Sequence, residues 1–193
     1  AVDGGEMKRY AIGGVIDGFD DYDSQRDAHS AEDLPDASLG TTMLYTSGTT
    51  GRPKGVHRES TGVMSKYATE QSQRMAALAG LQAGRDVTLV TGPLYHAAPL
   101  AFALGLPLAY GTTVVLMDGW DAAETLRLME QHRVTHTHMV PTMFHRLLSL
   151  PEDVRTRNDL SSLRLIWHGA APCPVPGKQS LIEWLGPIVW EYY

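Results

Sequence analysis

The residues best suited to chemistry lie in one short run, Tyr45-Thr46-Ser47-Gly48-Thr49-Thr50-Gly51-Arg52-Pro53-Lys54-Gly55-Val56. Its glycines let the backbone come close to a ligand. Its hydroxyls and successive amides can donate to phosphate oxygens, and the Lys54 ammonium can neutralise their charge. Together these groups make a polyphosphate cradle. It is not a Walker loop, because Pro53 stands where that pattern has the glycine before its lysine, and Gly55 stands where it has the Ser or Thr that holds magnesium. Kinase-like and GTPase-like chemistry is disfavoured accordingly.

Three further groups of residues are candidates. His96 follows Pro93-Leu94-Tyr95 and precedes a helix start at Ala98-Pro99, a position from which an imidazole can act at a cleft. Gly169-Ala170-Ala171-Pro172 is small and stiff, so a flat ring could lie against its backbone. His136 and His138 are two apart on a strand and share a face, the spacing of a metal pair. No third ligand is evident, so no metal is assigned to this stretch, and Val134, His136, His138 and Val140 read as one sheet face at a pocket floor. Cys173 sits between two prolines with no base partner and reads as a packed thiol.

The elements that must position these residues are legible from pattern. Strand-like and helix-like segments alternate: strands at 42–46, 86–91, 113–117, 134–140, 163–168 and 188–193, and helices at 59–78, 99–109, 121–132, 141–150 and 175–185. Such alternation predicts an α/β fold with a mainly parallel layered sheet and flanking helices. Asp121 with Glu124 forms a capping-box-like pair, and Pro141 suits a first helical position. In parallel sheets ligands bind beyond the carboxyl ends of strands, which directs attention to Thr46, Pro93, Val140 to Thr142, and His168 onward. Residues 1–40 are rich in Asp, Gly and Ser, with one short helix expected over 19–28. They read as the end of a preceding subdomain plus a connection, and 41–193 as the core.

Composition sets the outer bounds. With 43% hydrophobic residues in 193 the chain can bury a core, and its formal charge of −6 argues against a generic nucleic-acid binder or a polybasic membrane anchor. The most apolar stretch, 97–110, is too short to span a bilayer and is broken by Pro99, Gly105 and Pro107, so it reads as a buried helix or helix pair. A single cysteine points to a reducing compartment, the cytoplasm. Neither end reads as a natural terminus, so a truncated piece with room for self-association at uncovered sheet edges is expected.

The run 45–56 closely resembles the phosphate-binding motif of the adenylate-forming superfamily: acyl-CoA synthetases, peptide-synthetase adenylation domains and luciferases. Other resemblances follow in that family's order. Residues 93–99, with Tyr95 and His96, are similar to its aromatic/His gate, Val140-Pro141-Thr142 to its pocket wall, and Gly169-Ala170-Ala171-Pro172 to its adenine-binding loop. Trp190-Glu191-Tyr192-Tyr193 is similar to the run into the segment that stacks a tyrosine on adenine and then supplies a magnesium-binding glutamate, a continuation that lies past this sequence. The resemblance covers about 13–193, and Ala-Pro-Cys-Pro together with Trp-Glu-Tyr-Tyr looks most like a fatty or aryl acyl-CoA synthetase.

The resemblance implies an ATP-binding α/β core from the large N-terminal domain of such an enzyme. It also implies ATP with Mg2+, coenzyme A as a substrate, and a small-molecule carboxylic acid as partner. Thr46, Ser47, Gly48, Thr49, Thr50, Gly51 and Lys54 would hold the phosphates, Gly169 to Pro172 and a stacked Tyr193 the adenine, and Tyr95, His96, Val140, Pro141 and Thr142 the acid. Lys54 and His96 would be the groups nearest the chemistry. Alternatives are an adenylation domain that loads a carrier protein and a non-catalytic nucleotide-binding module. Residues 1–193 alone are expected to be inactive.

Overall fold

The computed structural model describes residues 8–32, 43–46, 54–56 and 66–192. The chain divides into two compact units, Ala1–Gly40 and Thr41–Tyr193. In the first, two short strands, β1 (Tyr10–Ala11) and β2 (Asp20–Asp21), pair in parallel and lead into helix α1 (Tyr22–Asp27). The helix is shorter than the expected 19–28 because Asp21 caps it, its carboxylate accepting the Ser24 amide hydrogen at 2.8 Å.

In the second unit, β3 (Leu44–Thr46) and β4 (Lys54–Val56) form an antiparallel pair that sets Tyr45 opposite Gly55 and Thr46 opposite Lys54. The sequence suggests one strand of the parallel sheet running into the glycine-rich run. Instead β3 pairs with β4 in a two-stranded antiparallel sheet distinct from the parallel one. Helix α2 (Lys66–Leu78) follows.

The main sheet is parallel throughout: β5 (Val87–Val90), β6 (Thr113–Leu116), β7 (His136–Met139), β8 (Leu165–His168) and β9 (Val189–Glu191), in the order β6-β5-β7-β8-β9. Between β5 and β6 the chain forms a π-helical segment, Pro99–Gly105, that continues into α3 (Leu106–Ala109). The apolar pattern there suggests a buried helix or helix pair, and the structure has two successive helical segments, the first with a wider turn than an ordinary helix. The remaining helices are α4 (Ala122–Gln131), α5 (Pro141–Leu148), α6 (Glu152–Arg155) and α7 (Val175–Leu185). Asp121 caps α4 through the Glu124 amide at 2.8 Å, and Pro141 occupies the first turn of α5, where no amide donor is required.

Helices α4, α5 and α7 bury Leu126, Met129, Phe144, Leu147 and Leu181 against Leu89, Met139 and Ile166 of the sheet. On the opposite side Ala76, Ala79 and Leu81 pack with Leu165 and Trp167. Each fully buried large side chain contributes roughly 1.5–3 kcal/mol of transfer free energy. These two apolar layers fix the sheet that carries the site. The chain leaves β5 toward β6 on one side and returns to β7 on the other, so the strand order reverses between β5 and β7 while every strand stays parallel. A crevice is expected beyond their carboxyl ends.

Candidate active site

The crevice is there. A cavity of about 480 Å³ opens at the ends of β5 and β7, lined by Gly92, Pro93, His96 and Pro99 from the β5 side and by His138, Val140 and Met143 from the β7 side. Two local features hold its mouth. The Thr91 hydroxyl donates to the His138 carbonyl, tying β5 to β7 where they diverge. A Cβ at Gly92 would come within 2.6 Å of the Pro99 side chain, so only glycine lets the β5 turn lie against the start of the π-helical segment.

A second cavity, about 680 Å³, lies at the ends of β8 and β9, lined by Gly169, Ala170, Ala171, Pro172, Glu191 and Tyr192. Ala170 lines both cavities, so one molecule could extend from one into the other. The loop between them is held in an unusual shape. Ala170 has φ +67°, a left-handed conformation that costs a non-glycine residue about 1 kcal/mol or more, and a Cβ at Gly169 would meet the Tyr192 ring at 2.5 Å.

Charges around the second cavity are paired. Lys178 Nζ on α7 donates to Glu191 Oε2 at 2.8 Å, and that hydrogen bond holds the Glu191 carboxyl below its ordinary range. His168 is fully buried, edge-on to Phe144, with Nε2 3.9 Å from Glu191 Oε2. Burial, with Lys178 adding to it, lowers its pKa.

His136 and His138 do share a face of β7, but they do different work. His136, at the start of the strand, donates from Nε2 to the Ala79 carbonyl at 2.8 Å. It stands near the buried Asp86, which accepts hydrogen bonds from the Gln82 amide and the Arg164 guanidinium. This network pins the amino end of the sheet, away from the cavities, so only the carboxyl half of the expected pocket-floor face reaches the crevice. His138 Nε2 shares a 2.9 Å hydrogen bond with the Tyr192 hydroxyl. Burial, reinforced by His168, pushes the His138 pKa down to about 4, so the ring is neutral at pH 7.

Of the residues assigned from sequence, His96 and Val140 line the first cavity, and Gly169, Ala170, Ala171 and Pro172 line the second. Tyr95 is exposed, its ring 4.7 Å from that of His96. Pro141 is buried in the first turn of α5 and Thr142 is exposed beside it. Thr46 ends β3 and Lys54, exposed, opens β4. Ser47, Gly48, Thr49, Thr50, Gly51 and Tyr193 lie outside the described residues. Sequence reasoning placed His138 only on the pocket-floor face of its strand, and it assigned no role at the site to Met143, Glu191 or Tyr192. β9 ends at Glu191, and Tyr192 beyond it covers Gly169.

Comparison with known proteins places this geometry. The family model for AMP-binding enzymes matches residues 9–193. A 2-succinylbenzoate–CoA ligase of Bacillus pumilus is 37% identical over 168 residues, which is 87% of this chain and 32% of that protein. A medium/long-chain-fatty-acid–CoA ligase of Mycobacterium tuberculosis is 37% identical over 164 residues, 84% of this chain and 27% of that protein. The solved O-succinylbenzoate coenzyme A synthetase of Bacillus subtilis, in complex with AMP, superposes with a TM-score of 0.64 at 30% identity, over 89% of this chain and 34% of that one. The chain thus spans about a third or less of the length of these relatives.

Proposed function

We propose, from the premise that the chain belongs to the family of AMP-binding enzymes, that it carries the nucleotide and acid surfaces of an ATP-dependent carboxylate–CoA ligase acting on a fatty or aryl acid. In the first step a carboxylate oxygen bonds to the α-phosphorus of ATP and the bond to the β-phosphate oxygen breaks, releasing pyrophosphate and leaving an acyl-adenylate. In the second, the thiolate of coenzyme A attacks the acyl carbon and AMP leaves. The observation that carries this reading is the pair of cavities joined at Ala170, one with a largely apolar wall beside His96 and one walled by a small, stiff loop.

The acid lies in the first cavity with its carboxylate toward His96, flanked by Tyr95 and the 140–142 segment. The adenine lies against Gly169 to Pro172, with Tyr193 as the stacking ring. Thr46, Ser47, Thr49, Thr50 and Lys54 hold the β- and γ-phosphates, and Gly48 and Gly51 permit the backbone path. Positioning and charge neutralisation are what such a transfer chiefly needs from the protein. Magnesium would arrive on the nucleotide. Among the described residues no group of three or more His, Cys, Asp or Glu could hold an ion. The cytoplasm, where ATP and coenzyme A are both at hand, is the proposed compartment.

The test uses the full-length protein with ATP, magnesium, coenzyme A and a panel of fatty and aromatic acids. AMP and an acyl thioester are expected together, and Lys54→Ala is expected to lower acid-dependent pyrophosphate exchange about 10- to 1000-fold, the range for losing one preorganised charged donor. Exchange without thioester would move the acceptor from coenzyme A to a carrier protein. No acid-dependent exchange at all, or an unchanged rate in folded Lys54→Ala, would overturn the reading.

A further inference from the structure

The first cavity has an uneven wall. Among the described residues lining it, glycine, alanine, proline, Val140 and Met143 supply apolar surface, and the polar side chains are His96 and His138 alone. They differ in kind. His96 is exposed at the entrance, whereas His138 is 2% exposed and built into the sheet.

His138 is also held still. Its ring stacks on Phe102 with centroids 6.2 Å apart and planes 13° from parallel, the Tyr192 ring lies 5.7 Å away, and the Tyr192 hydroxyl occupies Nε2. Phe102 is in turn backed by Trp167 at 5.8 Å. With Nε2 engaged, Nδ1 is the nitrogen left for a ligand, and a locked ring presents it at low entropic cost. A purely hydrocarbon tail packed against the ring would leave that nitrogen dehydrated without a partner, a penalty that a hydroxyl or carbonyl oxygen removes. A second carboxylate fits less well, since no Lys or Arg lines this cavity among the described residues and the imidazole stays neutral.

We propose that His138, held by Tyr192, is a specificity-determining residue that makes this cavity prefer carboxylic acids bearing an uncharged oxygen, hydroxyl or carbonyl, on the tail over acids of the same size with a hydrocarbon tail. The inference rests on the reading of this cavity as the acid site, and it narrows that site's substrate class.

The experiment measures kcat/KM for acid-dependent pyrophosphate exchange by the full-length protein with matched pairs. One pair is an arylalkanoic acid with and without a ring hydroxyl; the other is a medium-chain alkanoic acid with and without an oxo group. The wild type is expected to favour the oxygen-bearing member of at least one pair about 10- to 100-fold, the factor for one buried polar group left unpaired. His138→Leu is expected to bring that ratio to about 1, and Tyr192→Phe, which keeps the ring over Gly169, to lower it part of the way. If His138→Leu fails to fold, Tyr192→Phe still tests the assignment to His138: an unchanged ratio in that variant would overturn it. Equal rates or a hydrocarbon preference in the wild type would overturn the proposal while leaving the ligase reading intact. So would a His138→Leu enzyme that loses both acids equally with its ratio unchanged. No exchange with any acid would remove the ligase reading and this inference with it.

Discussion

At the scale of single residues, the site depends on two close approaches and a set of buried imidazoles. Gly169 has no room for a side chain under Tyr192, so Gly169→Ala must displace that ring and break its hydrogen bond to His138. A stability loss of about 1–3 kcal/mol is expected, the usual cost of overpacking, read as a shift in the urea midpoint. An unchanged midpoint would show that the loop is less tightly packed than described. The histidines make a separate, pH-dependent contribution. His136, His138 and His168 all have pKa values lowered by burial, His138 to about 4 from 6.5. The unfolded chain therefore binds more protons than the folded one between these values. Stability is full above about pH 6.5 and is lost as pH falls toward 4. The carboxylates with depressed values, Glu124, Glu130 and Glu191 from 4.5 and Asp21 and Asp159 from 3.8, act lower on the scale. Urea midpoints that fall between pH 6.5 and 4.5 are expected, and a flat profile in that window would contradict the burial of these rings.

At the scale of elements, what could be read in advance is what short-range chemistry dictates. The Asp121 cap, the Pro141 start and the glycine after α7 mark helix boundaries through backbone donors and φ preferences, and α4, α5 and α7 lie where those signals put them. Asp121→Ala is expected to cost about 1 kcal/mol in a denaturation measurement, since the Glu124 amide loses its acceptor. What escaped reading depends on contacts distant in sequence. Lys54–Val56 carries a glycine and no alternation, so its pairing with Leu44–Thr46 was hidden. The two-residue strands β1 and β2 are too short for any period to show. The π-helical turn at Pro99–Gly105 has the apolar content of an ordinary helix and differs only in hydrogen-bond register. Strand spacing put His138 on one face with His136, at a pocket floor and without a metal, but it could not separate the two rings. The register that places it beside Trp167, and the Tyr192 hydroxyl that binds it, come from β8 and from the end of β9.

At the scale of the molecule, the unit 41–193 is a layered α/β body whose parallel sheet reverses its strand order between β5 and β7. The cavity at that reversal and its neighbour beyond β8 and β9 meet at Ala170, the left-handed residue between Gly169 and Ala171. If the proposed function holds, an acyl-adenylate lies across Ala170, with its acyl part at one strand pair and its base at the other. A crystal structure of the full-length protein with a non-hydrolysable acyl-sulfamoyl adenosine tests this directly. The acyl group is expected against His96, His138, Val140 and Met143, and the adenine against Gly169, Ala170, Ala171 and Pro172. An adenine bound anywhere else, or an acyl group outside the β5–β7 crevice, would contradict it.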